Sequence, residues 1–354
     1  MTTLKSKLAL VAASTLALAS LSRADTPMAP AITIGGFTTF DYTHLSGAAD
    51  DHFNVSTALL SATGVYGAVT GVVSIYYDPG IFSNSTFSNN ALNLLDANAT
   101  WDLGSGWTVQ AGRFLSWMGY ESFFTINNPE ITGANSNPLW VSGYEDGVRV
   151  VYTSSDKMWN GGIAVVDSAF VSPSAFEGDG ELKKNYGGEI YIDSTLGVKD
   201  LDVWFGVAHD SSDVQVGTAK GITTFDLHSQ YQLTPDMYVA GEYTIEDNVI
   251  TSGGGKTVDS ETWLVLVDYT FSSINKNLSA AFRVSGDTYN GVIGGGRNDF
   301  RYTFAPTWTV NPHFSIRAEV TYLADNAGGI SSGTFFAPSS KDATFVGAQA
   351  VFKF

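Results

Sequence analysis

From Ala31 to the C-terminus the chain repeats one theme: a run of about ten residues in which apolar and polar side chains alternate, then a connection. In Phe314 to Tyr322, the residues Phe314, Ile316, Ala318, Val320 and Tyr322 share one face, and Ser315, Arg317, Glu319 and Thr321 take the other. Leu278 to Ser285 repeats the pattern, with Leu278, Ala280, Phe282 and Val284 opposite Ser279, Ala281, Arg283 and Ser285. In Leu95 to Leu103 the apolar set is Leu95, Ala97, Ala99, Trp101 and Leu103, and Asp96, Asn98, Thr100 and Asp102 oppose it. A period of two predicts β-strands with one face on apolar material and the other on water.

The connections alternate as well. Short turns rich in Gly, Pro, Asn and Asp fall near 63–66, 104–106, 154–158, 194–200, 232–236, 272–276 and 310–313. Longer polar stretches lie between them, near 43–52, 78–93, 115–142, 170–184, 210–220, 247–259, 286–297 and 324–341. Eight long loops and seven short turns predict sixteen antiparallel strands in one domain over 25–354. Short turns on one side and long loops on the other suit an all-β transmembrane barrel, turns toward the periplasm and loops outside. A soluble sandwich would have to protect its sheet edges with no disulfide. The last strand places Val346, Ala348, Ala350, Phe352 and Phe354 on the lipid face. A terminal aromatic there is similar to the end of bacterial outer-membrane barrels, which implies that Phe354 is read by the barrel-assembly machinery. Trp101, Trp107, Trp159, Tyr231, Phe271 and Trp308 sit beside short turns, and Tyr42, Tyr144, Trp263 and Phe300 nearer the long loops. Two such bands are expected where a barrel wall meets lipid headgroups.

Composition narrows the picture. Charged residues make up 15% of the 354, against roughly 25% in soluble domains, and 13% are aromatic. No apolar run after the N-terminus is long enough for a membrane helix. Lys5 and Lys7, the apolar run Leu8 to Leu21, and Ser22-Arg23-Ala24 predict an export signal over residues 1–24, cut after Ala24. Its removal discards three cations and no acid, so the net charge passes from -17 to -20. Such an acidic chain is a poor nucleic-acid partner, since phosphate contacts need clustered Lys and Arg. Zero Cys leaves stability to size and sheet closure.

Alternation also selects the residues that face the lumen. Arg283, Arg301 and Arg317 point inward on three consecutive strands about 4.8 Å apart, and Arg149 points inward on the strand after the longest loop. That loop, 115–142, carries Glu121 and Glu130 and no Lys or Arg. It is the third long loop, and in sixteen-stranded general porins the third long loop folds into the barrel and narrows it. The resemblance implies a constriction in which the arginines face Glu121 and Glu130 across water. The plainer alternatives leave the loop resting on the rim and the arginines paired with lumenal acids. Those acids include Asp96, Asp102, Asp226, Glu242, Asp268 and Glu319, which with the net charge predict mild cation preference. Arg113 breaks the alternation, so either a bulge at Gly112 flips the register or the strand has left the hydrocarbon there.

Enzyme chemistry has little support. The five His residues (His44, His52, His209, His228 and His313) show no metal-ligand spacing, so no metal or cofactor is expected. Gly255-Lys256-Thr257 lacks the first glycine of a phosphate loop, whose place Ile250 takes. His228 faces inward and could serve a barrel-embedded hydrolase, but no Ser or Asn is tied to it.

Gln110-Ala-Gly-Arg-Phe114, Gly119-Tyr-Glu121, Asn127-Asn-Pro129 and Gly147-Val-Arg-Val-Val-Tyr152 resemble the β-barrel porin family described as OmpL-like. The resemblance spans about 45 residues and implies an outer-membrane channel of a Gram-negative-type envelope. It supplies no catalytic or ligand residues; an anchoring role at the loop base is the alternative reading of Glu121. The chain is therefore expected to be a sixteen-stranded outer-membrane porin, a passive channel for small hydrophilic solutes and ions. A homotrimer and a monomer both suit that architecture. The alternative is a non-conducting adhesion or structural barrel that binds through its outer loops.

Overall fold

The computed structural model describes residues 31–46, 52–78, 92–133, 143–167, 187–210, 222–250, 257–290, 297–325 and 342–354. The proposed export signal and the remainder of the third long loop, 134–142, lie outside them. Sixteen strands follow in order: β1 (Ala31–Leu45), β2 (His52–Tyr66), β3 (Val69–Tyr77), β4 (Leu92–Gly104), β5 (Trp107–Leu115), β6 (Tyr144–Thr153), β7 (Trp159–Val166) and β8 (Gly187–Ser194). The second half comprises β9 (Leu201–Asp210), β10 (Ile222–Thr234), β11 (Met237–Ile250), β12 (Thr257–Thr270), β13 (Leu278–Asn290), β14 (Arg297–Asn311), β15 (Phe314–Asp325) and β16 (Asp342–Lys353). Each pairs antiparallel with its neighbours in sequence, and β1 pairs with β16 to close the barrel. Closure leaves no free edge, which a sheet surrounded by lipid requires because every backbone N–H and C=O must be paired.

The first short turn lies at Gly67, where φ is +58°, directly after the stretch its composition marked. β11 to β14 likewise run further into their loops than the polar residues there suggest. Ladder hydrogen bonds carry a strand through polar positions that propensity alone would assign to loop.

The outer face is apolar all round. Ile34, Leu60, Val73, Ile163, Val165, Ile190, Val265, Phe282, Phe304 and Val320 are exposed on it. A patch of that extent would drive a soluble protein to aggregate, and lipid removes the penalty. Trp107, Tyr152, Trp159, Tyr231 and Trp308 are exposed beside the short turns, with Trp107 and Tyr152 in ring contact. At the far end Trp263 meets Phe300. Tyr144, assigned by its position to the outer aromatic band, is instead buried inside with Phe37, Tyr76 and Leu95.

Leu95 shows why. β4 carries one extra residue opposite Ser74, since Val73 pairs with Ala97 and Ile75 with Leu94. This bulge turns both Leu95 and Asp96 inward, so strict alternation misassigns Leu95. Arg113 needs no such flip. It stays on the outer face, paired in register with Asp146 and bonded to it at 3.1 Å. An arginine at the lipid boundary is tolerated because its charge is matched there.

The seam is tied by the last residue. Phe354 exchanges both backbone hydrogen bonds with Gly36, each 3.0 Å. A Cβ on Gly36 would lie 2.1 Å from the Leu59 carbonyl oxygen and 2.8 Å from the Phe354 ring, so only glycine fits.

Candidate functional site: a loop clamped inside the barrel

The third long loop, L3, leaves β5 at Leu115 and its described part, 116–133, runs inside the barrel. A single 3-10 turn, Thr125–Asn127, is its regular structure. A loop in the lumen must satisfy its backbone polar groups with something other than a ladder. The barrel wall supplies the partners, and it divides them by charge.

Inward carboxylates receive the loop's donors. Ser116 Oγ and the Trp117 N–H donate to Glu189 on β8. The Gly119 N–H donates to Asp226 on β10 and the Tyr120 N–H to Glu242 on β11, both at 2.7 Å. Further on, the Ile131 and Thr132 N–H groups donate to Glu319 on β15 at 2.5 and 3.1 Å. Inward guanidiniums donate to the loop's carbonyls. Arg283 reaches the Thr132 carbonyl at 2.8 Å and Arg301 the Gly133 carbonyl at 3.0 Å. Arg317 Nη1 lies within 2.7–3.0 Å of the Thr125, Asn128 and Glu130 carbonyls. Charge-assisted bonds of this kind are about twice as strong as neutral ones.

Between the two clamps the loop crosses to the opposite wall. Phe123 and Phe124 pack on Tyr76 of β3, and Phe124 also meets Phe37 of β1, with centroids 5.4–5.9 Å apart. Near its start a second apolar cluster joins Phe114, Met118 and Trp117 to Tyr191 and Trp204. Trp204 stacks on His228 at 4.5 Å, with planes 7° apart.

Arg283, Arg301 and Arg317 do share one wall, but they are 0%, 7% and 4% exposed. Arg283 meets Glu121 at 2.5 Å and Glu130 at 3.8 Å. These charges touch; no water-filled gap separates them. Burial, with Glu121 and Glu319 nearby, pushes the Glu130 carboxyl up to about 7 although Arg283 pulls the other way. Arg149 on β6 stands eight strands from β14, on the opposite side of the ring. It donates to Gln110 and to the Leu115 carbonyl, with its guanidinium 4.2 Å from the Phe114 ring centroid.

Among the acids, Asp226, Glu242 and Glu319 serve the loop as described. Asp96 accepts from the Tyr144 hydroxyl at 3.4 Å, and Asp268 on β12 is half-buried near the short-turn end. Sequence reading missed Glu189 and Glu145 of the lumenal wall, both buried, and the aromatic contacts of Phe123 and Phe124. Alternation along β6 and β8 would have pointed Glu145 and Glu189 inward with Arg149.

With the geometry in place, comparison with known proteins identifies the lineage. The family model described as putative beta-barrel porin-2, OmpL-like, matches residues 42–354. The chain belongs to this porin family. The match extends far beyond the four short motifs at Gln110, Gly119, Asn127 and Gly147. No curated protein matches the sequence. Among solved structures the chain is similar to Salmonella typhi OmpF in its daunomycin complex, with TM-score 0.67, 12% identity, and 93% of this chain and 100% of that one covered. It is also similar to Vibrio cholerae OmpT in a trimer form, with TM-score 0.63, 14% identity and coverage of 92% and 100%. The anion-selective porin of Comamonas acidovorans gives 0.61 at 13% identity, with coverage of 92% and 100%. At these identities the shared feature is the porin-type barrel fold.

Proposed function

We propose that this chain, exported by a signal over residues 1–24, is an outer-membrane channel through which small hydrophilic solutes and ions diffuse past L3. One observation carries the reading: residues 116–133 lie inside the barrel, held from both sides by carboxylate and guanidinium clamps. A loop so fixed is a rigid constriction, and passage depends on what its contour leaves open.

Mild cation preference follows from how charge is used. Arg283, Arg301 and Arg317 are buried against L3, whereas Asp193 and Asp268 keep partial exposure and Asp202 is exposed. The charge that passing ions meet is then acidic, and a focused negative field enriches cations. Phe354 would act both as the seam and as the signal read during assembly. No enzymatic role is proposed; His228 Nδ1 has no hydrogen-bond partner among the described residues, as a hydrolytic dyad would need. A homotrimer, the form recorded for the Vibrio cholerae relative, is the assembly we would test first.

A second reading has one observation behind it. L3 touches β1 and β3 as well as β8, β10, β11 and β13 to β15, which suits a plugged structural or adhesive barrel. Planar-bilayer recording of the refolded protein under a salt gradient separates the two. Discrete openings with a cation-leaning reversal potential support the channel, and an anion-leaning potential would overturn the charge argument. Silence from a demonstrably folded barrel would favour the plug.

A further inference from the structure

The acids that receive the first turn of L3 have an unusual companion. Asp226 and His228 are two apart on β10 and share its inner face, and Glu242 on β11 is the register partner of His228. One potential ligand atom from each lies within 4.8 Å of the others. Asp226 is 0% exposed and Glu242 5%. Among the described residues no Lys or Arg pairs with either. Each instead accepts from a backbone amide of L3, Gly119 N–H on Asp226 Oδ2 and Tyr120 N–H on Glu242 Oε1.

That leaves the cluster short of positive charge and of hydrogen bonds. Asp226 Oδ1, in a fully buried side chain, has no hydrogen-bond partner among the described residues, and neither has His228 Nδ1. Two carboxylates confined together without a cation repel each other and lose hydration. The distance between Asp226 Oδ2 and His228 Nδ1 is 3.5 Å. This is long for a hydrogen bond. It is close to the roughly 3.4 Å that separates two ligands of a tetrahedral zinc ion with bonds of about 2.0–2.1 Å.

We propose that Asp226, His228 and Glu242 form a divalent-cation site on the lumenal wall, selective for an ion of the zinc type. An imidazole and two carboxylates are a three-ligand set that leaves a fourth position for water. The imidazole disfavours Mg²⁺ and Ca²⁺, which take oxygen ligands. The shell around the ligands is already ordered. His228 is held flat against Trp204, with the Tyr120 ring edge-on at 5.7 Å, and both carboxylates are oriented by L3 amides. Outer partners of this kind fix ligand orientation at metal sites. Because Gly119 and Tyr120 belong to L3, an ion bound here also fastens the loop to β10 and β11. Binding at this site does not depend on whether the barrel conducts.

The test uses the full barrel, refolded without a polyhistidine tag, titrated calorimetrically with ZnCl₂ and examined with Co²⁺ for d–d absorption. One Zn²⁺ per chain, resistant to millimolar Mg²⁺ and Ca²⁺, and Co²⁺ bands of a four- or five-coordinate site are expected. H228Q, which removes a ligand itself, should weaken zinc binding by more than the roughly 10- to 100-fold that loss of an outer-shell partner costs. H209Q should leave it unchanged, since exposed His209 bonds Thr223 outside the cluster. Folding is checked by heat-dependent gel mobility; should H228Q not fold, the near-isosteric E242Q takes its place. Absence of zinc binding by the folded wild type, or equal loss in H228Q and H209Q, would overturn the site.

Discussion

Arg283 on β13 and Glu121 in L3 meet at 2.5 Å, although 162 residues of chain separate them. Arg283 also donates to the Thr132 carbonyl, so one fully buried guanidinium holds both arms of the loop. Removing one partner of a buried ion pair leaves the other charge uncompensated, at a cost of about 3–5 kcal/mol.

R283M should therefore release L3. The expected result is a lower melting temperature together with a larger and noisier single-channel conductance. Conductance unchanged in a folded R283M barrel would mean that the loop holds its place without this arginine.

The seam makes a sharper steric prediction. G36A drives a methyl into the Leu59 carbonyl and the Phe354 ring, and overpacking typically costs about 1–3 kcal/mol. The heat-modified gel shift should occur at a lower temperature. G64A is the control, because a Cβ at Gly64 meets nothing within 4 Å.

Glu130 predicts a pH dependence of unusual sign. Its carboxyl sits near 7 in the docked loop against an ordinary 4.5. The docked state thus holds the proton more tightly, and docking is strongest at low pH. It weakens as pH rises from about 4.5 to 7 and levels off above that, by at most about 3 kcal/mol. Melting curves between pH 4 and 8 should show this decline, and E130Q should flatten it.

Selectivity can be moved without touching the clamp. D193N and D202N remove two lumen-facing acids near the short-turn end while leaving every L3 contact in place. The reversal potential should shift toward zero in the double variant, with stability within about 0.5 kcal/mol of wild type.

The barrel itself was legible because its determinants are local. Strict alternation from Phe314 to Tyr322 and turn-forming runs such as Asn311-Pro312-His313 each report on a few adjacent residues. Inward placement of Arg283, Arg301 and Arg317 followed from the same phase. Their backbone partners did not follow, because Thr132 and Gly133 lie more than 150 residues away from them in sequence. Leu95 and Tyr144 were misassigned for a different reason: a bulge opposite Ser74 and the inserted loop create an interior that a period of two does not encode. Asp226, His228 and Glu242 were each readable as inward residues. Only the β10–β11 register makes them neighbours.

The clamp grips L3 mostly by its main chain: the amides of Trp117, Gly119, Tyr120, Ile131 and Thr132, and the carbonyls of Thr125, Asn128, Glu130, Thr132 and Gly133. Backbone groups survive almost any replacement of the side chain they carry. Mutation can therefore rewrite much of the loop's chemistry while the wall keeps its path, so a lineage can try new solute filters on an unchanged frame.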